Sequence, residues 1–136
     1  MREKDLYKKR ILIVEDDPML LELYRDKLKM EGFRVATVTD GKKALSRIKQ
    51  GADLILLDIL MPELNGFEVL KKLKLTPDTK DIPVIVLTNL GTDITDNDKQ
   101  FALSLGATDF LIKSLNTPEE VVQRIRDILS ATVAAE

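Results

Sequence analysis

This sequence predicts an α/β fold, a doubly wound (βα)5 domain built on a parallel five-stranded sheet. Three observations carry that prediction: five short apolar runs spaced along the chain, segments of 3.6-residue periodicity between them, and helix start and stop signals at the joins. Strict alternation of strand and helix requires right-handed crossovers. Strands that are apolar along nearly their whole length imply a parallel sheet covered on both faces.

The first strand is Ile11-Leu12-Ile13-Val14, followed by residues 34–38 (RVATV), 54–58 (LILLD), 83–88 (PVIVLT) and 109–113 (DFLIK). Helical stripes fill the gaps: Leu20, Leu21, Tyr24 and Leu28, then Ala44, Leu45 and Ile48, then Phe67, Leu70 and Leu73. A weaker fourth holds Phe101, Ala102 and Leu105, and the last holds Val121, Val122, Ile125, Ile128 and Leu129. Asp17 stands as a cap before Pro18, since proline is tolerated at the first helical position where its missing N–H has no partner to lose. The "TPEE" at 117–120 repeats that logic, with Glu120 in the capping-box position. Gly32, Gly51 and Gly106 fall where the first, second and fourth helices stop. Residues 1–9 read as a polar lead-in, 10–131 as the domain and 132–136 as a tail with few anchors, expected to fray.

Composition narrows the chemistry. A chain of 136 residues that is 44% hydrophobic and 32% charged suits one soluble domain, and a net charge of -2 gives no electrostatic footprint for direct nucleic-acid binding. Cysteine and histidine are both absent, which excludes disulfides, thiolate sites, cysteine nucleophiles and the commonest general base. A metal, if used, is a hard cation on oxygen ligands. No segment approaches the roughly 20 apolar residues of a membrane span, and the charged start is not a signal peptide, so no membrane association and a cytoplasmic location are expected.

In a parallel sheet the strand carboxyl ends share one edge, where open α/β sheets bind ligands. Those ends bring together Glu15 and Asp16, Asp58, Thr88 and Lys113. Three adjacent carboxylates raise one another's pKa unless a cation sits among them. An oxygen-only ligand set points to Mg²⁺, with Mn²⁺ the alternative. Phosphoryl transfer asks for an in-line nucleophile, a cation on the equatorial oxygens and hydrogen-bond donors for the remaining charge. Asp58, the metal, and the pair Thr88 and Lys113 match these parts. Taken alone, Thr88 reads equally well as a strand-end threonine, Lys113 as a snorkelling surface lysine and Phe110 as core.

Four motifs in order, "ILIVEDDP", "LILLDILMPELNGFEVL", "IPVIVLTN" and "GATDFLIK", make the chain resemble the receiver domain of two-component response regulators over roughly residues 9–131. The resemblance implies a flavodoxin-like sheet of order 2-1-3-4-5 and a phosphoryl group passed to Asp58 from a histidine kinase or phosphotransfer protein. It further implies that Asp16 is a direct Mg²⁺ ligand and that Glu15 acts through water. Asp58 is then both nucleophile and ligand, and the Leu60 backbone carbonyl completes the protein's share of the metal shell. Thr88 and Lys113 bind phosphoryl oxygens, and movement of Thr88 lets Phe110 swing inward as the switch. With too little chain after residue 131 for an output domain, the excised-fragment case aside, output is expected by contact with a downstream protein. The contact face is the fourth helix, fifth strand and fifth helix, on a monomer or weak homodimer.

Several residues read differently. Asp17 belongs to the helix as its N-cap; Lys71, Lys72 and Lys74 are a wet helix face; Asn65 caps the third helix after the Met61-Pro62 loop. Four positions stand out against the family pattern. Ser114 replaces the usual proline after the lysine, so a trans bond or an altered loop is expected. Asn89 replaces a small residue and narrows access, and Leu60 and Leu90 put apolar side chains at the two positions that tune dephosphorylation. A long-lived phosphorylated state follows. Two other readings stand beside this one. A small aspartate-nucleophile phosphohydrolase needs a second aspartate where Leu60 stands, and a receiver-like interaction module that is not phosphorylated is consistent with Ser114 and Asn89.

Overall fold

The computed structural model describes residues 8–59, 61, 65–88 and 96–135, with the side chains of 96 and 132–135 left aside. The expectations placed on Leu60, Pro62, Asn89 and Leu90 fall outside these residues. Strands β1 (Arg10–Val14), β2 (Arg34–Val38), β3 (Leu54–Leu57), β4 (Val84–Thr88) and β5 (Asp109–Ile112) alternate with helices α1 (Pro18–Met30), α2 (Gly41–Arg47), α3 (Gly66–Leu75), α4 (Asp96–Ser104) and α5 (Pro118–Ala135). All strand pairs are parallel and the order is β2-β1-β3-β4-β5, as the flavodoxin-like expectation has it.

The two-residue period of each strand divides the core. Ile11, Ile13, Leu54, Leu56, Ile85 and Leu87 face α1 and α5, where Tyr24, Leu28, Val121, Ile125 and Leu129 meet them. Leu12, Val14, Ile55, Leu57, Val84 and Val86 face the other way, onto Ala44 of α2, Val69, Leu70 and Leu73 of α3, and Ala102 of α4. Both faces of the central strands are covered, which is why those strands read as unbroken apolar runs. β2, at the sheet edge, is only half-buried and correspondingly mixed in sequence.

The caps behave as the sequence indicates. Asp17 accepts from the backbone N–H of Met19 and Leu20, Asn65 from that of Glu68, and Thr117 and Glu120 form the reciprocal capping box at α5. Asp40 also caps α2, accepting from Lys43 N at 2.8 Å. α2 tightens into a 3₁₀ turn at Ile48–Gln50 before Gly51. α5 stays helical through Ala135, four residues past the expected domain end at 131, in an alanine-rich stretch of high helix propensity.

Two strands end one residue earlier than expected, at Leu57 and Ile112, yet the next N–H stays bonded to the neighbouring strand. Asp58 N donates to Val14 O at 3.0 Å and Lys113 N to Thr88 O at 2.9 Å. Chemical denaturation should separate the two kinds of stabilisation seen here. Asp17→Ala is expected to cost about 1 kcal/mol, whereas Leu54→Ala, emptying a fully buried position, should cost roughly 2–5 kcal/mol.

Candidate functional site

Four residues meet where β1, β3, β4 and β5 end. Glu15 continues β1, its N–H bonded to Val38 O at 3.1 Å. Asp58 follows β3 directly, Thr88 is the last residue of β4, and Lys113 follows β5. A parallel sheet puts these positions on one edge, although 98 residues separate Glu15 from Lys113. Ligand oxygens of Glu15, Asp16 and Asp58 lie within 4.8 Å of one another.

The three carboxylates differ in environment. Glu15 and Asp58 are buried, at 5% and 6% exposure, whereas Asp16 is exposed. Lys113 spans the buried pair: its Nζ donates to Glu15 Oε2 at 2.8 Å and to Asp58 Oδ2 at 3.2 Å. Glu15 Oε1 also accepts from Asp17 N at 3.2 Å, so Asp17 serves the site through its backbone and the helix through its side chain. Burial pushes Glu15 up to about 7, with the Asp58 charge adding to the rise and the Lys113 bond opposing it. For Lys113 burial pulls downward, but its bonds and charge attraction to Glu15 and Asp58 outweigh that and hold the ammonium above its usual range. The lysine is therefore a permanent cation at neutral pH.

Thr88 Oγ1 is wholly buried and has no hydrogen-bond partner among the described residues. A buried hydroxyl without an acceptor costs free energy, so this donor suits a ligand that supplies one. Phe110 is buried in the core cluster that includes Ala102 of α4, two strands from Asp58. After Lys113 the chain turns through Leu115 N to Ile112 O at 3.0 Å, with no cis bond among the described residues. Ser114 thus leaves the lysine aimed at the carboxylates.

Gly66, to which the sequence alone assigns no part in the site, proves to be a site residue. A Cβ there would stand 2.3 Å from Ile59 Cα and 2.6 Å from the Asp58 carbonyl oxygen, and Gly66 N donates to Ile59 O at 3.0 Å. Only glycine lets α3 begin directly against the backbone that carries Asp58. The Asn65-Gly66 pair signals a turn in sequence, but the close approach is a tertiary fact.

Residues 11–126 match the family model of the response regulator receiver domain. The transcriptional regulatory protein CpxR of Escherichia coli is 44% identical over 120 residues, covering 88% of this chain and 49% of that protein. The chain thus spans about half the length of the curated relatives it matches. Among solved structures, a putative response regulator from Chloroflexus aurantiacus superposes with a TM-score of 0.81 at 31% identity, covering 90% of this chain and 98% of that one. The Mn(2+)-bound form of the response regulator Rcp1 gives 0.71 at 33% identity, covering 82% and 85%.

The raised Glu15 carboxyl has a signed consequence for stability. Between its ordinary value of 4.5 and about 7 the folded state holds a proton that the unfolded state has lost. This contribution is therefore fully present below 4.5 and disappears as pH rises through 7. Urea unfolding across that range without divalent cation is expected to show a decline that Glu15→Gln flattens. An equally steep decline in the variant would rule out Glu15 as the titrating group.

Proposed function

The chain belongs to the response regulator receiver domain family, and on that premise we propose that it accepts a phosphoryl group on Asp58 and changes a protein-contact face in response. The observation that carries the reading is the Lys113 ammonium held by both Glu15 and Asp58 beside the exposed Asp16, within one carboxylate cluster. In the transfer step an Asp58 carboxylate oxygen forms a bond to phosphorus. The bond from phosphorus to the donor breaks, and its electron pair leaves with the donor, the imidazole nitrogen of a histidine kinase or phosphotransfer protein. Lys113 and the Thr88 hydroxyl donate to the phosphoryl oxygens. For Thr88 this supplies the acceptor that the buried hydroxyl lacks among the described residues.

An oxygen-only donor set of three carboxylates, in a chain without histidine or cysteine, fits a hard divalent cation. Glu15, Asp16 and Asp58, with the Leu60 carbonyl, would hold Mg²⁺, or Mn²⁺ as named for the Rcp1 relative. When bound, the cation supplies charge neutralisation at the transferring phosphoryl group. Asp16, exposed and free of the lysine contact, is the carboxylate most open to such an ion; Glu15 is already committed to Lys113 and Asp17. That asymmetry supports the division between a direct ligand and one acting through water.

Output belongs to the face of α4, β5 and α5, with Phe110 as the moving element. Thr88 drawn toward phosphate leaves space on the α4 side, and Phe110, in the same core cluster as Ala102, is placed to use it. The domain is assigned to residues 10–131, preceded by the lead-in 1–9, and works in the cytoplasm as a monomer or weak homodimer. The CpxR relative is by name a transcriptional regulator about twice as long, so a nucleic-acid-binding output in a longer protein is compatible with this chain's own net charge of -2. No described helix is long and apolar enough to cross a membrane.

Incubation with Mg²⁺ and a small acyl phosphate, followed by intact mass measurement, is expected to show one added phosphoryl group. Asp58→Ala should abolish the gain, and Asp16→Ala should abolish the Mg²⁺-dependent phosphorylation. No gain in the wild-type chain would favour an interaction module without phosphorylation, and repeated donor turnover would favour a phosphohydrolase. A separate expectation concerns lifetime: the apolar Leu60 and Leu90 fail to orient attacking water, so the phosphoryl group should persist without a phosphatase. Leu90→Glu should then shorten its lifetime, read by the same mass measurement over time.

A further inference from the structure

The opposite end of the sheet holds a second charged feature. β1 and β2 begin in register, Arg10 beside Arg34, and α2 ends nearby at Arg47. All three line a cavity of about 240 Å³ whose apolar floor includes Leu12 and Ala36. Five residue steps separate Arg10 at this end from Glu15 at the other, roughly 16 Å at the usual strand rise.

Like charges on directly paired strand residues repel unless an anion stands between them. Asp53 answers Arg10 alone: its Oδ2 accepts from Arg10 N at 2.7 Å and lies 3.6 Å from Arg10 Nε. The Arg34 and Arg47 side chains have no ion pair or hydrogen bond among the described residues. Three guanidinium groups against one carboxylate leave two positive charges facing the cavity.

The wall is built to hold one of these groups still. Gly51 has φ +87°, and a Cβ there would stand 2.8 Å from Arg10 Nη1. The same nitrogen donates to Gln50 O at 3.2 Å. Glycine therefore lets the Arg10 guanidinium rest against the turn, and part of the ordering entropy of binding is met in advance. Arg47 is half-buried.

We propose that this cavity binds a compact dianionic oxyanion, inorganic phosphate or the phosphate of a small phosphomonoester, through Arg10, Arg34 and Arg47. The doubled positive charge matches a dianion, and planar guanidinium forks match tetrahedral oxyanions bidentately. The volume is below the about 300–1,000 Å³ of sites for drug-sized ligands, so the ligand is small. Binding here is independent of phosphorylation at Asp58.

Titration of the isotope-labelled chain, followed by NMR at low ionic strength with inorganic phosphate, glycerol phosphate and succinate, tests this directly. Saturable shifts are expected at the arginine side-chain N–H signals and at backbone residues 34–36 and 50–52. Arg34→Ala and Arg47→Ala should each weaken binding about tenfold, and Arg47→Lys should restore only part of it. Both positions are at least partly exposed, and circular dichroism verifies that the variants fold. Tighter binding of inorganic phosphate supports free phosphate as the ligand, and tighter binding of glycerol phosphate supports a phosphorylated metabolite. Succinate bound as tightly as phosphate, shifts confined to the Lys113 end, or affinity unchanged in both alanine variants would each overturn the proposal.

Discussion

Three backbone hydrogen bonds hold the site in register: Glu15 N to Val38 O, Asp58 N to Val14 O, and Lys113 N to Thr88 O. Each is the last rung between neighbouring parallel strands, so the functional side chains begin where the ladder stops. The ladder is rigid because both faces of the sheet are buried, with Ile11, Leu54 and Ile85 packed on one side and Ile55, Leu57 and Val86 on the other. Core packing and site geometry are in this sense one constraint. A shift of one residue in any strand would move its core side chains to the wrong face and its functional residue off the edge.

The site itself is held under electrostatic tension. Burying Glu15 and Asp58 together is unfavourable, and the raised Glu15 carboxyl records the cost. Lys113 offsets part of it by contacting both carboxylates, while Thr88 leaves a buried donor without an acceptor among the described residues. Such a cluster is poised for a further charged ligand, because a group with both a cationic and an anionic part relieves both defects. Gly66 adds the steric half of the arrangement by letting α3 close against the Asp58–Ile59 backbone.

The two ends of the parallel sheet are electrostatic opposites. Carboxylates gather at the strand carboxyl ends, and arginines gather where β1 and β2 begin. Only the first is legible in the sequence, because parallel strands place their carboxyl ends on one edge. Arg10, Arg34 and Arg47 are scattered along the chain and reveal their proximity only through the register of β1 with β2 and the crossover of α2.

By itself the sequence determined the alternation of strands and helices, the caps at Asp17, Asn65 and Thr117, and the residues at the strand carboxyl ends. These follow from periodicity, from local side-chain hydrogen bonding and from the shared direction of parallel strands, all properties of short stretches. Tertiary structure alone decided which acid is buried. Glu15 and Asp16 are adjacent and chemically alike, yet one faces Lys113 and the other faces solvent. It also decided that Lys113 reaches two carboxylates without a proline after it, and that Gly66 is sterically required. Those facts depend on distances between segments far apart in the chain, which only the packed sheet defines.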